Sequence, residues 1–233
     1  MPKVYDFNNN EPINQQVYRL LRNEIITCSI APGSLLSEKN ISDSFRVSRQ
    51  LMRETFIKLA EVGLVQVLPQ RGTFVRRISA KRVADVRFIR QVIECAVVRR
   101  ACECITDQQL LMLEHNLRRQ ALAADNDQIR EFFDLDDEYH QALADVAGCQ
   151  LAWETIESIK ATMDRVRFLS LSAVSPPRGL IAEHYQILDG LKKRDADAAE
   201  QALRRHLEHM ILSIDPITAE HPDWFEGEEQ EIK

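Results

Sequence analysis

Residues 36–75, LSEKNISDSFRVSRQLMRETFIKLAEVGLVQVLPQRGTFV, restrict the fold of this chain more than any other stretch. Ser37 is a good helix N-cap, and Ile41 and Phe45 form the apolar i, i+4 stripe of a short helix. Arg46-Val47 makes a tight connection, and Ser48 caps a second helix running to about Val62. The inner stripe of that helix is Met52, Phe56, Leu59 and Ala60, and Gly63 is placed to stop it. Two β-like runs follow, Leu64 to Leu68 and Thr73 to Arg77, joined by Pro69-Gln70-Arg71-Gly72. Helix, turn, helix and hairpin in that order predict a winged helix-turn-helix.

The chemistry of this stretch sits at the start of its second helix. Arg49 and Arg53 are four apart and share a face, with Gln50 beside them and displaced from the Met52/Phe56 stripe. The apolar stripe docks the helix while the guanidiniums stay outside. A helix that presents its first turn to a DNA major groove needs that division, because phosphate contacts anchor it and forked donors read base edges. Arg71 and Gly72 at the hairpin tip suit a wing, since glycine lets backbone approach a sugar-phosphate wall.

Leu36-Ser37-Glu38-Lys39, Val47-Ser48-Arg49 with Arg53-Glu54, Gly63-Leu64-Val65 and Arg71-Gly72-Thr73-Phe74-Val75 closely resemble the DNA-binding half of the GntR family of bacterial transcription regulators. The resemblance implies DNA contacts from Lys39, Arg49, Arg53 and the Arg71-Gly72 tip. With Ser48 and Gln50 from the same turn, the candidate DNA-binding set is Lys39, Ser48, Arg49, Gln50, Arg53, Arg71 and Gly72. Two departures from the family pattern bear on the operator and not on the fold. Lys39 stands where arginine is commoner, which lowers bidentate capacity, and Gln50-Leu51-Met52 replaces the usual Thr-Pro-Val.

A net charge of −6 argues against nucleic acid only if the charge is evenly spread. Residues 1–78 carry 11 Lys/Arg against 7 Asp/Glu, and residues 79–233 carry 19 against 29. A basic head on an acidic body is the footprint expected of a DNA-binding domain joined to something else. No apolar run approaches a membrane span and no secretory leader is apparent, so the expected location is cytoplasmic, at the nucleoid, with no membrane partner. Five scattered cysteines without a Cys-x-x-Cys pair read as small buried hydrophobes.

In the head, a polar arm spans Met1 to Glu11, and an amphipathic first helix begins near Asn14 with Val17, Leu20, Leu21, Ile25 and Ile26. From residue 79 the patterning is helical throughout. The expected helices are Lys81–Ile105, Asp107–Ala124, Gln128–Val146, Gln150–Ser172, Pro177–Lys193 and Ala196–Leu212. Thr106 with Gln109 makes a capping box, Gly148 marks a stop, Ser175 precedes Pro176 at a helix start, and Asp195 caps the last helix. The predicted fold is therefore mainly α: a winged helix-turn-helix of three helices and a β-hairpin over 1–78, an all-helical bundle of about six helices over 79–215, and a loose acidic tail over 216–233. The body, with RQVIECAVVRRA in its first helix, resembles the FadR-type subfamily and its FCD domain.

Asp136 and His140 lie one turn apart on a predicted helix, and His184 and His206 fall on two others. Facing helices of a bundle build metal sites from such donors, although spacing alone equally allows surface histidines. The FCD resemblance implies that Asp136, His140, His184 and His206 hold a divalent metal, Zn²⁺ foremost with Ni²⁺ or Mn²⁺ compatible. Arg90 lies among apolar neighbours and needs an anion, for which Glu94, one turn on, is the ordinary partner. The resemblance instead implies that Arg90 holds the carboxylate of a small effector. Arg165 and Arg167 are secondary candidates for the same pocket, with a surface position the expectation for each, and Asp137 and Glu138 are expected to point largely away from Asp136.

These readings predict a homodimeric, ligand-responsive regulator, a repressor by expectation, that binds a palindromic double-stranded DNA operator and responds to a small organic acid. Two alternatives share the same residues: a regulator that senses the metal itself, and a helical metalloenzyme. No nucleophile motif, phosphate loop or His-Glu-x-x-His supports the enzyme reading.

Overall fold

The computed structural model describes residues 7, 8, 10–173, 176–208 and 214–227. The chain divides into two compact units, one formed by Met1–Ala80 with Glu220–Lys233 and the other by Lys81–Ala219.

The first unit begins with α1 (Ile13–Ile26), β1 (Leu35–Leu36), α2 (Glu38–Phe45) and α3 (Arg49–Glu61), and continues through β2 (Val65–Leu68) and β3 (Gly72–Val75). Both capping expectations are met. Ser37 accepts from the Asn40 N–H at 3.3 Å and Ser48 from the Leu51 N–H at 3.2 Å. Between α2 and α3, Arg46 takes a left-handed conformation (φ 53°), which lets the chain reverse within three residues. Helix α1 packs on α3, and Val17, Leu21 and Ile25 of α1 and Met52, Phe56 and Leu59 of α3 are all buried, so three residues of the docking stripe read from the sequence lie on the buried face, with Ala60 half-buried. The hairpin is joined by a third strand that the periodicity did not show. β1 pairs antiparallel with β3 on the side opposite β2, with Leu36 facing Thr73. Two residues are too few to leave an alternation signal. At the wing tip Gly72 has φ +106°, and a Cβ there would stand 3.0 Å from the Leu35 side chain.

The second unit is helical: α4 (Ala80–Cys104), α5 (Asp107–Asp125), α6 (Ile129–Val146), α7 (Gln150–Ala173), α8 (Pro177–Lys193), α9 (Ala196–Glu208) and the short α10 (Ile214–Glu220). The Thr106/Gln109 capping box forms on both arms, Asp195 accepts from the Ala198 N–H, and Pro177 occupies a first-turn position of α8. Ser175 and residues 209–212 lie outside the described residues. The core is lined by Val98, Leu117, Tyr139, Ile187, Leu191 and Leu203. Cys95 and Cys102 are buried as expected, whereas Cys104 is exposed. Helices α8 and α9 touch backbone to backbone. A Cβ on Gly190 would fall 2.7 Å from the Ala199 nitrogen, so only glycine permits this approach. Arg194, left-handed at the end of α8, donates to the carbonyls of Cys102 and Ile105 at the end of α4.

The expected loose tail is corrected in part. Residues 214–220 form α10, and residues 222–224 form a 3-10 turn on which His221 stacks against Trp224 at 3.9 Å. The chain then pairs with Ile78: the Ile78 N–H donates to the Trp224 carbonyl at 2.8 Å and the Glu226 N–H to the Ile78 carbonyl at 2.9 Å. Phe225 is buried there. Four apolar or aromatic residues (Ile214, Ile217, Trp224 and Phe225) spread through acidic sequence are enough to anchor a segment without making it periodic. The EEQEIK end and the first six residues of the amino-terminal arm lie outside the described residues.

Because α8 and α9 meet at Gly190, Gly190→Ala should destabilise the protein by roughly 1–3 kcal/mol through overpacking. Thermal denaturation should show a melting point lower by several degrees, and an unchanged melt would mean that the two helices separate without cost.

Candidate metal centre and nucleic-acid interface

Three helices of the second unit bring the four predicted ligands together. Asp136 and His140 come from α6, His184 from α8 and His206 from α9, all four are buried, and one ligand atom from each lies within 4.8 Å of the others. The His206 Nε2 is 3.3 Å from that of His140 and 3.2 Å from that of His184, and the His184 Nε2 is 3.4 Å from an Asp136 carboxylate oxygen. Ligands at 2.0–2.1 Å from one ion in tetrahedral arrangement stand roughly 3.3 Å apart, so this spacing fits a shared cation.

The opposite nitrogen of every ring is occupied. The Nδ1 of His140 meets Glu94 of α4, that of His184 meets the Gln120 Oε1 of α5 at 3.0 Å, and that of His206 meets Glu183 of α8 at 2.9 Å. Gln120 spends its amide N–H groups on the Leu135 carbonyl and Asn116, so its oxygen must accept from His184. Three acceptors at Nδ1 place the protons there and leave three Nε2 lone pairs facing one another. Lone pairs this close repel unless a cation lies between them. Tyr139, fully buried and stacked on His184 at 4.7 Å, fixes that ring from the side and donates its hydroxyl to the His184 carbonyl.

Electrostatics support the same arrangement. Burial depresses His184 well below its usual 6.5, reinforced by the neighbouring His206, and burial also lowers His206 against the opposing Glu183 bond. Burial alone would raise Glu94, but Arg90 and then His140 outweigh it and pull its carboxyl from 4.5 to about 2. Asp136 resists burial through the Arg167 guanidinium and stays ionised far below the ordinary range. Arg90 pairs with Glu94 and Arg167 with Asp136, while Glu183 faces the His206 ring.

Arg167 corrects the surface expectation. It is half-buried on α7, over the Phe133 ring, and donates to Asp136, Asp137 and Asp164. Arg165 is fully buried. Asp137 does turn from the imidazoles, toward Lys160, a fully buried lysine also bonded to Asp164 at 2.8 Å. Glu138 pairs with Arg119 on the surface. Arg90 satisfies the ordinary reading in part: its Nε donates to Glu94, while one terminal nitrogen is buried with no hydrogen-bond partner. Arg87, Arg90 and Arg167 line a cavity of about 50 Å³ together with Phe132, Asp136 and His206. Of the supporting residues, Gln120 carried a usable signal, as a polar side chain in phase with the apolar Leu113 and Leu117.

In the first unit the candidate DNA-contacting residues Lys39, Ser48, Arg49, Gln50, Arg53, Arg71 and Gly72 are all exposed. Arg53 donates to Glu38 at 3.2 Å and Gln50 to Glu54 at 2.9 Å, which orients both side chains on the outer face of α3. Lys39, Arg49 and Arg71 make no ion pair among the described residues.

Residues 13–75 match the family described as bacterial regulatory proteins, gntR family, and residues 85–209 match the FCD domain. The HTH-type transcriptional repressor RspR of Escherichia coli K12 is 52% identical over 221 residues, covering 95% of this chain and 97% of the relative. An HTH-type transcriptional regulator of Streptomyces ambofaciens is 36% identical over 93% of this chain and 91% of its own. Among solved structures, a GntR transcriptional regulator of Rhodococcus sp. RHA1 superimposes with a TM-score of 0.72 at 27% identity, covering 87% of this chain and 97% of that one. Escherichia coli McbR/YncC shares the fold with a TM-score of 0.77 at 20% identity, over 89% and 99% of the two chains. A helix-turn-helix with its cations outward and a helical body matched along most of its length place this chain in the gntR family of bacterial regulatory proteins, as a DNA-binding transcription regulator with an FCD domain.

Proposed function

We propose that this regulator is a homodimeric repressor of a palindromic operator, modulated by a small carboxylate bound beside a divalent metal in its FCD domain. The observation that carries the reading is the convergence of three buried imidazole Nε2 atoms and one carboxylate next to an arginine-lined cavity. The repressor part rests on the relative at 52% identity, which bears that name. Asp136, His140, His184 and His206 would hold the ion, Zn²⁺ first among Zn²⁺, Ni²⁺ and Mn²⁺ for a set of three imidazoles and one carboxylate. Such an ion supplies a Lewis-acid attachment point for an oxygen anion. The chain does the rest. Glu94, Gln120 and Glu183 fix the imidazole tautomers, Arg167 orients Asp136, and the spare nitrogen of Arg90 gains a partner when a carboxylate enters. A cavity of about 50 Å³ favours a compact acid. By binding one state of the dimer better than another, the acid would shift operator affinity.

A second reading has one observation in its favour. Arg90 and Arg167 are already engaged by Glu94 and Asp136, which suits a regulator whose signal is the metal alone.

Three outcomes test these assignments. Metal analysis after dialysis should find one divalent ion per chain, lost in His184→Ala. Metal-loaded protein screened by thermal melting against short carboxylic acids should give a hit that Arg90→Ala abolishes while keeping the metal. A ligand at one hundred times its dissociation constant adds about 2.7 kcal/mol. No hit, with operator affinity tracking free metal, would favour the metal-sensing reading, and an absence of bound metal would sink both.

Metal-free protein should lose stability on acidification. His184 and His206 titrate lower in the folded chain than the usual 6.5, so below that value the unfolded chain takes up protons that the folded one refuses. Their contribution is complete above about 6.5 and declines as pH falls; the Glu94 contribution holds above 4.5 and is lost toward about 2. Melting temperatures between pH 7.5 and 5 should therefore fall with pH, and a flat profile would refute the neutral-imidazole assignment.

For the head, Arg49→Ala and Arg53→Ala should each weaken binding to an operator selected from randomised duplexes by roughly 1–3 kcal/mol if the residue reads a base. Fluorescence anisotropy at fixed salt measures this, and two unchanged affinities would displace the recognition helix from α3.

A further inference from the structure

Helix α4 carries an apolar strip that no described residue of its own unit covers. Phe88 and Val92 are 60% and 55% exposed, and Ala96 continues the line. Charged residues extend it at both ends, Lys81 and Asp85 before, Arg99 and Glu103 after, all of them exposed. At about 100° per residue these positions fall within an arc of about 80°. The buried side chains of the helix, among them Val86, Glu94, Val97 and Ala101, lie on the opposite side. The spacing alternates by threes and fours, which is the period of a helix-on-helix seam.

The order of charges along the strip selects its occupant. Counted from Val92, Lys81 and Glu103 lie equally far to either side, and so do Asp85 and Arg99, and Phe88 and Ala96. The strip therefore reads the same in both directions with its charges inverted. A second α4 laid antiparallel, with the two-fold axis through Val92, sets Lys81 opposite Glu103 of the partner subunit and Asp85 opposite Arg99 of the partner subunit, with Phe88 over Ala96 and Val92 on itself. A parallel second copy would set every charge against its like. An isologous two-fold contact requires this self-complementarity.

We propose that this strip is the seam of an antiparallel α4–α4 homodimer. The proposal rests on the dimeric reading above and assigns the surface that makes it. Existing surface pairs do not compete strongly. Lys81 and Asp85 bond each other at 3.1 Å while both remain largely exposed. Arg99 also holds Asp197 and Glu200 of its own chain, so the Lys81–Glu103 pair is the cleaner reporter.

The test is sedimentation equilibrium of the full chain, with circular dichroism as the folding control. Wild type should approach twice the 26.9 kDa chain mass. Val92→Asp, which places two carboxylates on the axis, should raise the dimer dissociation constant at least about tenfold with unchanged helicity. Lys81→Glu and Glu103→Lys should each raise it roughly 3- to 10-fold, and the double variant should return it to near the wild-type value. These two positions are exposed, so the reversal series stands even if Val92→Asp fails to fold. A dimer indifferent to Val92→Asp overturns the seam and leaves the dimeric reading intact. Single reversals without effect, or a double variant weaker than either single, overturn the antiparallel register. A monomer at every concentration overturns the dimeric reading itself.

Discussion

The pairing of each site imidazole with its own Nδ1 acceptor governs the body of this protein. A histidine free to rotate or switch tautomer offers its lone pair in many directions, and three such rings would converge only rarely. Here Glu94, Gln120 and Glu183 come from α4, α5 and α8, so the orientation of the donors is tied to the packing of the bundle. Burying carboxylates for that purpose is costly unless they are paired, which accounts for Arg90 beside Glu94 and Arg167 beside Asp136. Lys160, buried between Asp137 and Asp164, extends the same compensation one layer outward. The glycine at the α8–α9 crossing belongs to this arrangement too, because His184 and His206 meet only if those helices do.

The head uses charge in the opposite way. Its cations remain in water, and the packing beneath them is apolar. The Met52/Phe56/Leu59 face of α3 is docked on α1, so the first turn of α3 is held by its Ser48 cap and by its underside and not by its outward residues. The bond from Arg53 to Glu38 holds the guanidinium in an exposed position. In the DNA-binding role proposed for Arg53, a phosphate or base edge would displace that carboxylate at little expense.

Much of this was legible along the chain where the determinants are local. Caps, turn glycines and apolar stripes involve residues a few positions apart, and the Ser37, Ser48 and Thr106 caps and the limits of α8 follow from them. The four clustered donors were visible as residue types, but spacing could not separate a site from surface histidines, because the decisive fact is convergence across 66 residues between His140 and His206. Arg167 was misplaced for the same reason: its partner Asp136 lies 31 residues away, and within its own helix an arginine gives no sign of which side is buried. The two-residue β1 and the return of the carboxy-terminal segment to Ile78 depend on backbone pairing, which any side chain allows and which therefore leaves no pattern.

That return has a consequence for how the protein can be divided. A fragment ending at residue 80 looks like a complete winged helix-turn-helix, yet it lacks the backbone partners of Ile78 and uncovers a side chain that is fully buried in the whole chain. The DNA-binding unit is discontinuous, with its last piece encoded some 140 residues beyond the rest. Exchanging heads between relatives at the junction before α4 would join one protein's wing to another's closing segment, and a working chimera has to carry residues 220–227 along with the head.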